Sequence, residues 1–137
     1  MNVFEKASFD VISMWHVLEH VSMLDQRMEQ LKRLLKPGGT LIVALPNCNA
    51  YDARKYGMFW AGYDVPRHLY HFTSADVEFL FGKYWFKIIR VLPMWFDAFY
   101  VSLLSEKYKS GKMRWIPALW NGFWSNLKSG QKNGFSN

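Results

Sequence analysis

Two short apolar runs, Asp10-Val11-Ile12-Ser13-Met14 and Leu41-Ile42-Val43-Ala44-Leu45, stand out because their hydrophobic residues are largely contiguous rather than alternating. Such runs fit strands covered on both faces, as in a parallel sheet. Between them Leu24, Met28, Leu31 and Leu35 recur at helical spacing, with Gln26, Arg27, Glu29, Gln30 and Lys32 on the other side. Strand, helix and strand in that order predict a βαβ unit over Phe9 to Asn47. Ser22, with Asp25 three residues on, predicts a capping-box-like start to the helix. Lys32, Arg33 and Lys36 suit the negative end of its dipole, and Pro37-Gly38-Gly39 stops it.

Beyond Leu45 the pattern changes. Pro46-Asn47-Cys48-Asn49 cannot extend the strand, and residues 50–70 carry Tyr51, Tyr56, Phe59, Trp60, Tyr63 and Tyr70. A connection that long in a compact domain is functional or disordered, and its aromatic content argues against disorder. A partly helical lid over the strand ends is expected. Thr73 then caps a helix, with Asp76 at its third position, Phe72 stapled onto Val77, and Val77, Leu80 and Phe81 as its buried face. Gly82 is expected to end it. Trp85 to Leu92 reads as a further strand closed by Pro93. From Met94 a helical stretch over Asp97 to Lys109 precedes a second, short helical pattern after Pro117, and Ser129 to Asn137 is expected to fray. No internal repeat or low-complexity segment is present.

Composition narrows this picture. A chain of 137 residues forms at most one small domain, and half its residues are hydrophobic, enough for a core. The single Cys48 excludes an internal disulfide and fits a reducing compartment. No apolar run reaches membrane-spanning length and Met1 to Asp10 has no signal-peptide pattern, so a cytoplasmic location is expected. The net charge of +6 is uneven: 11 Lys/Arg face 10 Asp/Glu up to residue 100, whereas six face one beyond it. The basicity belongs to the tail.

The segments D-V-I-S-M-W-H-V-L-E-H-V and R-L-L-K-P-G-G-T-L-I-V-A-L-P-N, followed by D-V-P-R-H-L-Y-H-F-T, resemble class I S-adenosylmethionine-dependent methyltransferases. The closest branch is the group of ubiquinone-biosynthesis O-methyltransferases and their bacterial relatives, and the likeness covers roughly residues 9 to 92. It implies an α/β class: a partial Rossmann-like fold with a mostly parallel sheet flanked by helices. The Phe9 and Leu41 strands would be neighbours, with the Trp85 strand beyond a last antiparallel strand that the sequence does not reveal. The family's G-x-G-x-G cofactor loop and its ribose-holding acidic residue cannot be placed in Met1 to Phe9. The resemblance therefore implies the carboxyl-terminal portion of a methyltransferase domain, 1–93, with 94–137 as its aromatic, basic helical tail. A sheet cut there leaves an open edge that invites self-association.

The implied cofactor is S-adenosyl-L-methionine, and the implied reaction is methyl transfer to oxygen of a small or lipid-like acceptor. A non-catalytic fragment or binding module that keeps the scaffold without the cofactor loop is the alternative. By position, Ser13, Met14, Trp15 and Glu19 would line the methionine half of the cofactor, Trp15 either against the sulfonium or packed under the helix. His20, His71 and His68 are the candidate proton acceptors, since imidazole suits that task near neutral pH. Asn47, Tyr51, Trp60 and Arg67 would contact the acceptor. The competing reading makes Glu19 and His20 a polar pair holding backbone. It also has Asp64 and Arg67 paired to fix their loop, with the histidines bonded to backbone. His16 is read as structural. No residue spacing makes a metal site, because His68 and His71 lack acidic or cysteine partners in a ligand pattern, and Cys48 has no local histidine partner for catalysis. The basic aromatic tail fits either an anionic membrane surface or ordinary packing. Nucleic acid is not expected as a partner, since no known binding fold accompanies the charges.

Overall fold

The computed structural model describes residues 4–130, with side chains over 4–127. Strand β1 (Phe9–Trp15) is followed by a 3₁₀ turn at Leu18–His20, helix α1 (Leu24–Leu34) and strand β2 (Leu35–Ala44). Helix α2 (Tyr51–Tyr56) runs into 3₁₀ turns at Gly57–Phe59 and Ala61–Tyr63; α3 (Ser74–Lys83), α4 (Trp95–Ser110) and α5 (Trp115–Gly130) complete the order. β1 and β2 pair in parallel, with Ile12 opposite Leu41 and Met14 opposite Val43. The βαβ unit is therefore present, and the class is α/β.

The register explains the glycines of the connecting turn. Phe9 lies opposite Leu35 but Val11 lies opposite Thr40, so Lys36 to Gly39 loop out against the single residue Asp10. Gly38 has φ +79°, which only glycine adopts freely, and a Cβ on Gly39 would sit 2.9 Å from the Asp10 carbonyl oxygen. Lys36 closes the loop by donating to the Asp10 carboxylate at 2.8 Å. α1 stops at Leu34, because Leu35 is already extended and the residue before Pro37 is pushed out of helical geometry.

Several expectations need correction. The sheet is covered on one face only: Ile12, Met14, Leu41 and Val43 pack with Met28, Leu31, Leu80 and Phe81, while Val11 and Trp15 are more than half exposed on the opposite face. Ser22 does not cap α1; the cap is Met23, without a side-chain bond, and Asp25 instead accepts from Lys83 and Tyr84 at the end of α3. The region Trp85 to Leu92 is not a strand. A strand needs a neighbour to pair with, and the described sheet holds β1 and β2 alone; Trp85 and Ile89 are each 86% exposed, and Phe86 turns back onto Phe81. Finally, α5 is a full helix rather than a short one, taking in Ser129 and Gly130, and residues 131–137 lie outside the described part.

Helix α3 begins as expected. The Asp76 N–H donates to the Thr73 hydroxyl, and the Thr73 N–H donates back to the Asp76 carboxylate, a reciprocal capping box. Gly82 does not end this helix, which runs on to Lys83. The lid over residues 50–70 is partly helical: its helical part packs against α4 and α5, while Tyr70 at its end packs on the sheet core.

Candidate functional site

The carboxyl end of β1 turns sharply at His16, whose φ is +52°. This turn drops Leu18 and Glu19 into the protein, where both are fully buried. Leu18 joins the core under α1 and α3. The Glu19 carbonyl accepts from the Leu69 and Tyr70 N–H groups, at 2.7 and 3.3 Å, and so docks the loop 64–71 onto the strand end. That loop is shaped by Asp64, in the left-handed region at φ +38°, whose carboxylate takes two bonds from the Arg67 guanidinium. The pairing holds Arg67 above its usual pKa.

Three histidines meet there. The His20 and His68 rings contact edge to face at 4.7 Å, and His68 and His71 lie 6.4 Å apart. Each donates to a backbone carbonyl: His20 Nδ1 to Arg67 at 3.0 Å, His68 Nδ1 to Gly62 at 2.9 Å, and His71 Nε2 to Tyr63 at 2.9 Å. Since a carbonyl only accepts, each neutral ring keeps its lone pair on the other nitrogen. The reading of this loop as Asp64–Arg67 paired and histidines tied to backbone is thus what the hydrogen bonds show. It fixes the rings without consuming their acceptor nitrogens. His16 is structural in the same sense, lying between Glu19 Oε1 at 3.3 Å and Asp97 Oδ2 at 2.9 Å and so linking the site to α4.

The remaining candidate residues are dispersed. Ser13 and Trp15 are exposed on the open face of the sheet, whereas Met14 points the other way into the core, because side chains alternate along a strand. Asn47 forms a bridge with Phe72, and its side chain accepts from the Asn49 N–H. Tyr51 opens α2 with the Lys55 ammonium 5.8 Å from its ring. Trp60 is buried, its indole N–H donating to Asp52 at 2.8 Å, and Arg67 is exposed at the loop surface. Cys48 is partly buried, which pushes its thiol pKa up and leaves it a poor nucleophile.

A second polar assembly went unread in the sequence. Between α2, α4 and α5 the Tyr56 hydroxyl donates to Glu106 at 3.2 Å and accepts from Asn121 at 2.7 Å, and Asp52 also accepts from Ser125 at 3.1 Å. Burial pushes the Tyr56 pKa up to about 12, so the phenol remains a donor. The helices that supply this interior are turned inside out. Ser102, Ser105, Glu106, Asn121, Ser125 and Asn126 are buried, while Phe96, Tyr100, Trp115, Ile116, Trp120 and Phe123 are at least half exposed.

A parallel βαβ unit with polar groups gathered beyond the carboxyl end of a strand defines an α/β protein whose candidate site lies at that strand end. The chain belongs to the methyltransferase-domain family, whose sequence profile matches residues 2–91. No curated protein and no solved structure matches it. The matched span contains the strand end, the three histidines and α3; α4 and α5 follow it.

Proposed function

We propose that this chain is an S-adenosylmethionine-dependent methyltransferase domain supplying the acceptor side of an O-methyl transfer to a lipid-like substrate at a membrane surface. The family match supports methyl transfer, and the observation that carries the acceptor class is the inverted pair α4 and α5. Helices that bury serine, asparagine and glutamate while presenting tryptophan and phenylalanine are suited to an apolar exterior. Lys107, Lys109, Lys112 and Arg114 stand exposed around the turn between them, and cations beside aromatics favour an anionic interface. No described helix is long and apolar enough to cross a membrane, so the surface, rather than a span, is the mode proposed.

The residues present suit the methionine half of the cofactor. The exposed Trp15 indole offers a π face to a sulfonium, with Ser13 on the same side of the sheet. The glycine-rich turn and ribose-holding carboxylate that would take the adenosine half have no counterpart among the described residues: β1 ends at Trp15 and β2 at Ala44. When bound, the cofactor supplies an already activated methyl group, leaving the protein to orient the acceptor oxygen and take its proton. Our candidate for the second task is His71, a reading supported by its exposed ring and by the lone pair its Nδ1 keeps.

The test is transfer of labelled methyl from S-adenosylmethionine to a phenol carried on an alkyl chain in anionic vesicles. Methyl incorporation that falls at least about ten-fold in His71→Ala, with unchanged melting, supports the reading. The second reading is a binding module that keeps the scaffold. Absence of transfer, together with no calorimetric binding of S-adenosylmethionine, would select it.

A further inference from the structure

Glu19, His20 and His68 each place a ligand-type atom within 4.8 Å of the other two. Two of these residues are adjacent in sequence, and the third arrives from the loop that the Glu19 carbonyl itself docks. Glu19 Oε2 has no hydrogen-bond partner, although its side chain is 1% exposed. A bare carboxylate oxygen inside a protein is unfavourable unless a cation or donor satisfies it. Its other oxygen faces His16, which is braced in turn by Asp97.

The histidines are prepared in the complementary way. Both donate Nδ1–H to backbone carbonyls, of Arg67 and Gly62, which leaves Nε2 as the free lone pair. An imidazole that donates one N–H to a carbonyl and offers the other nitrogen is the arrangement that metal-bound histidine adopts. Asp64 Oδ2, 3.9 Å from His68 Nε2, adds negative charge beside it.

We propose that Glu19, His20 and His68 form a site for a first-row divalent cation of the zinc type, held by one carboxylate oxygen and two imidazole nitrogens. Ligand atoms on one zinc ion sit about 3.4 Å apart at bond lengths of about 2.1 Å, so the group closes slightly on binding. His20, on the exposed side, has room to make that movement. Three protein ligands leave a coordination position open. An acceptor oxygen bound there would lose its proton more readily, and this one consequence rests on the methyl-transfer reading; binding of the ion does not.

The experiment titrates Co²⁺, then Zn²⁺, into chelator-stripped protein with neither acceptor nor S-adenosylmethionine present. One equivalent of Co²⁺ should bind with d–d absorption, be displaced by Zn²⁺, and raise the melting temperature as any native-state ligand does. His20→Asn and His68→Gln should each weaken binding at least about ten-fold while far-UV circular dichroism stays native. Glu19→Gln should abolish the absorption, and the His20 variant covers the case in which that buried substitution impairs folding. No binding at about 100 µM Co²⁺, or binding retained in both histidine variants, overturns the site and leaves the methyl-transfer reading standing.

Discussion

At the scale of single residues, Thr73 and Asp76 show how a few atoms fix an element. The Thr73 hydroxyl accepts from Asp76 N–H at 3.2 Å and donates to the Asp76 carboxylate at 2.7 Å. That bond is the main reason the Asp76 pKa is lowered, ahead of the Thr73 backbone donor. Because the folded value lies below the unfolded one, the stabilisation is complete above pH about 4 and is lost as pH falls through the folded pKa. Thr73→Ala should cost about 1 kcal/mol, a drop of about 3–5 °C in melting temperature for a chain of this size. Asp76→Asn should flatten the wild-type decline below pH about 4. Thermal melts across that range check both outcomes.

At the scale of elements, α4 and α5 are held together by close backbone approach as well as by polar contacts. A Cβ at Gly122 would lie 2.5 Å from Phe99 Cδ1 and 3.0 Å from its Cα. In an open helix Gly→Ala gains about 1 kcal/mol of propensity. Here overpacking costs about 1–3 kcal/mol, and part of the obstacle is backbone that cannot rotate away. The second effect wins, so Gly122→Ala should lower the melting temperature. The pair's outward surface makes a separate prediction. Sedimentation with vesicles should increase with anionic lipid, weaken as salt screens the lysines, and fall in a Trp120→Ser, Lys112→Glu double variant. Recovery in the supernatant regardless of lipid charge would return these helices to ordinary packing against protein.

For the whole molecule, the open face of the sheet dominates. Val11 is 55% exposed, Trp15 58% and Ile42 43%, beside a strand whose outer backbone has no described partner. An apolar face next to an unpaired edge favours pairing with a second copy. The isolated chain should therefore self-associate, and Val11→Lys with Ile42→Lys should shift it toward monomer in analytical ultracentrifugation. Monomeric wild-type protein at about 50 µM, a concentration at which exposed edges of this kind associate, would defeat the prediction.

Local chemistry was enough to read several of these elements. The βαβ order, the helical face of Met28 and Leu31 and the Thr73–Asp76 box all depend on residues close in sequence, where spacing and backbone geometry act directly. The likeness to methyltransferases was legible for the same reason, its motifs being strand ends and turns, and the family profile agrees. Tertiary structure decided what depends on distant partners. An apolar run over residues 85–92 became a strand in the reading because pattern cannot report whether a neighbour exists to pair with it. Met14 and Trp15 are adjacent in sequence but face opposite sides of the sheet, so one is core and the other surface. Glu19, His20 and His68 could not be read as one group, since the loop that joins them is docked by the Glu19 backbone itself. The inversion of α4 and α5 was hidden as well: a helical pattern shows two faces, and only packing against Asp52 and Tyr56 decides that the polar one turns inward.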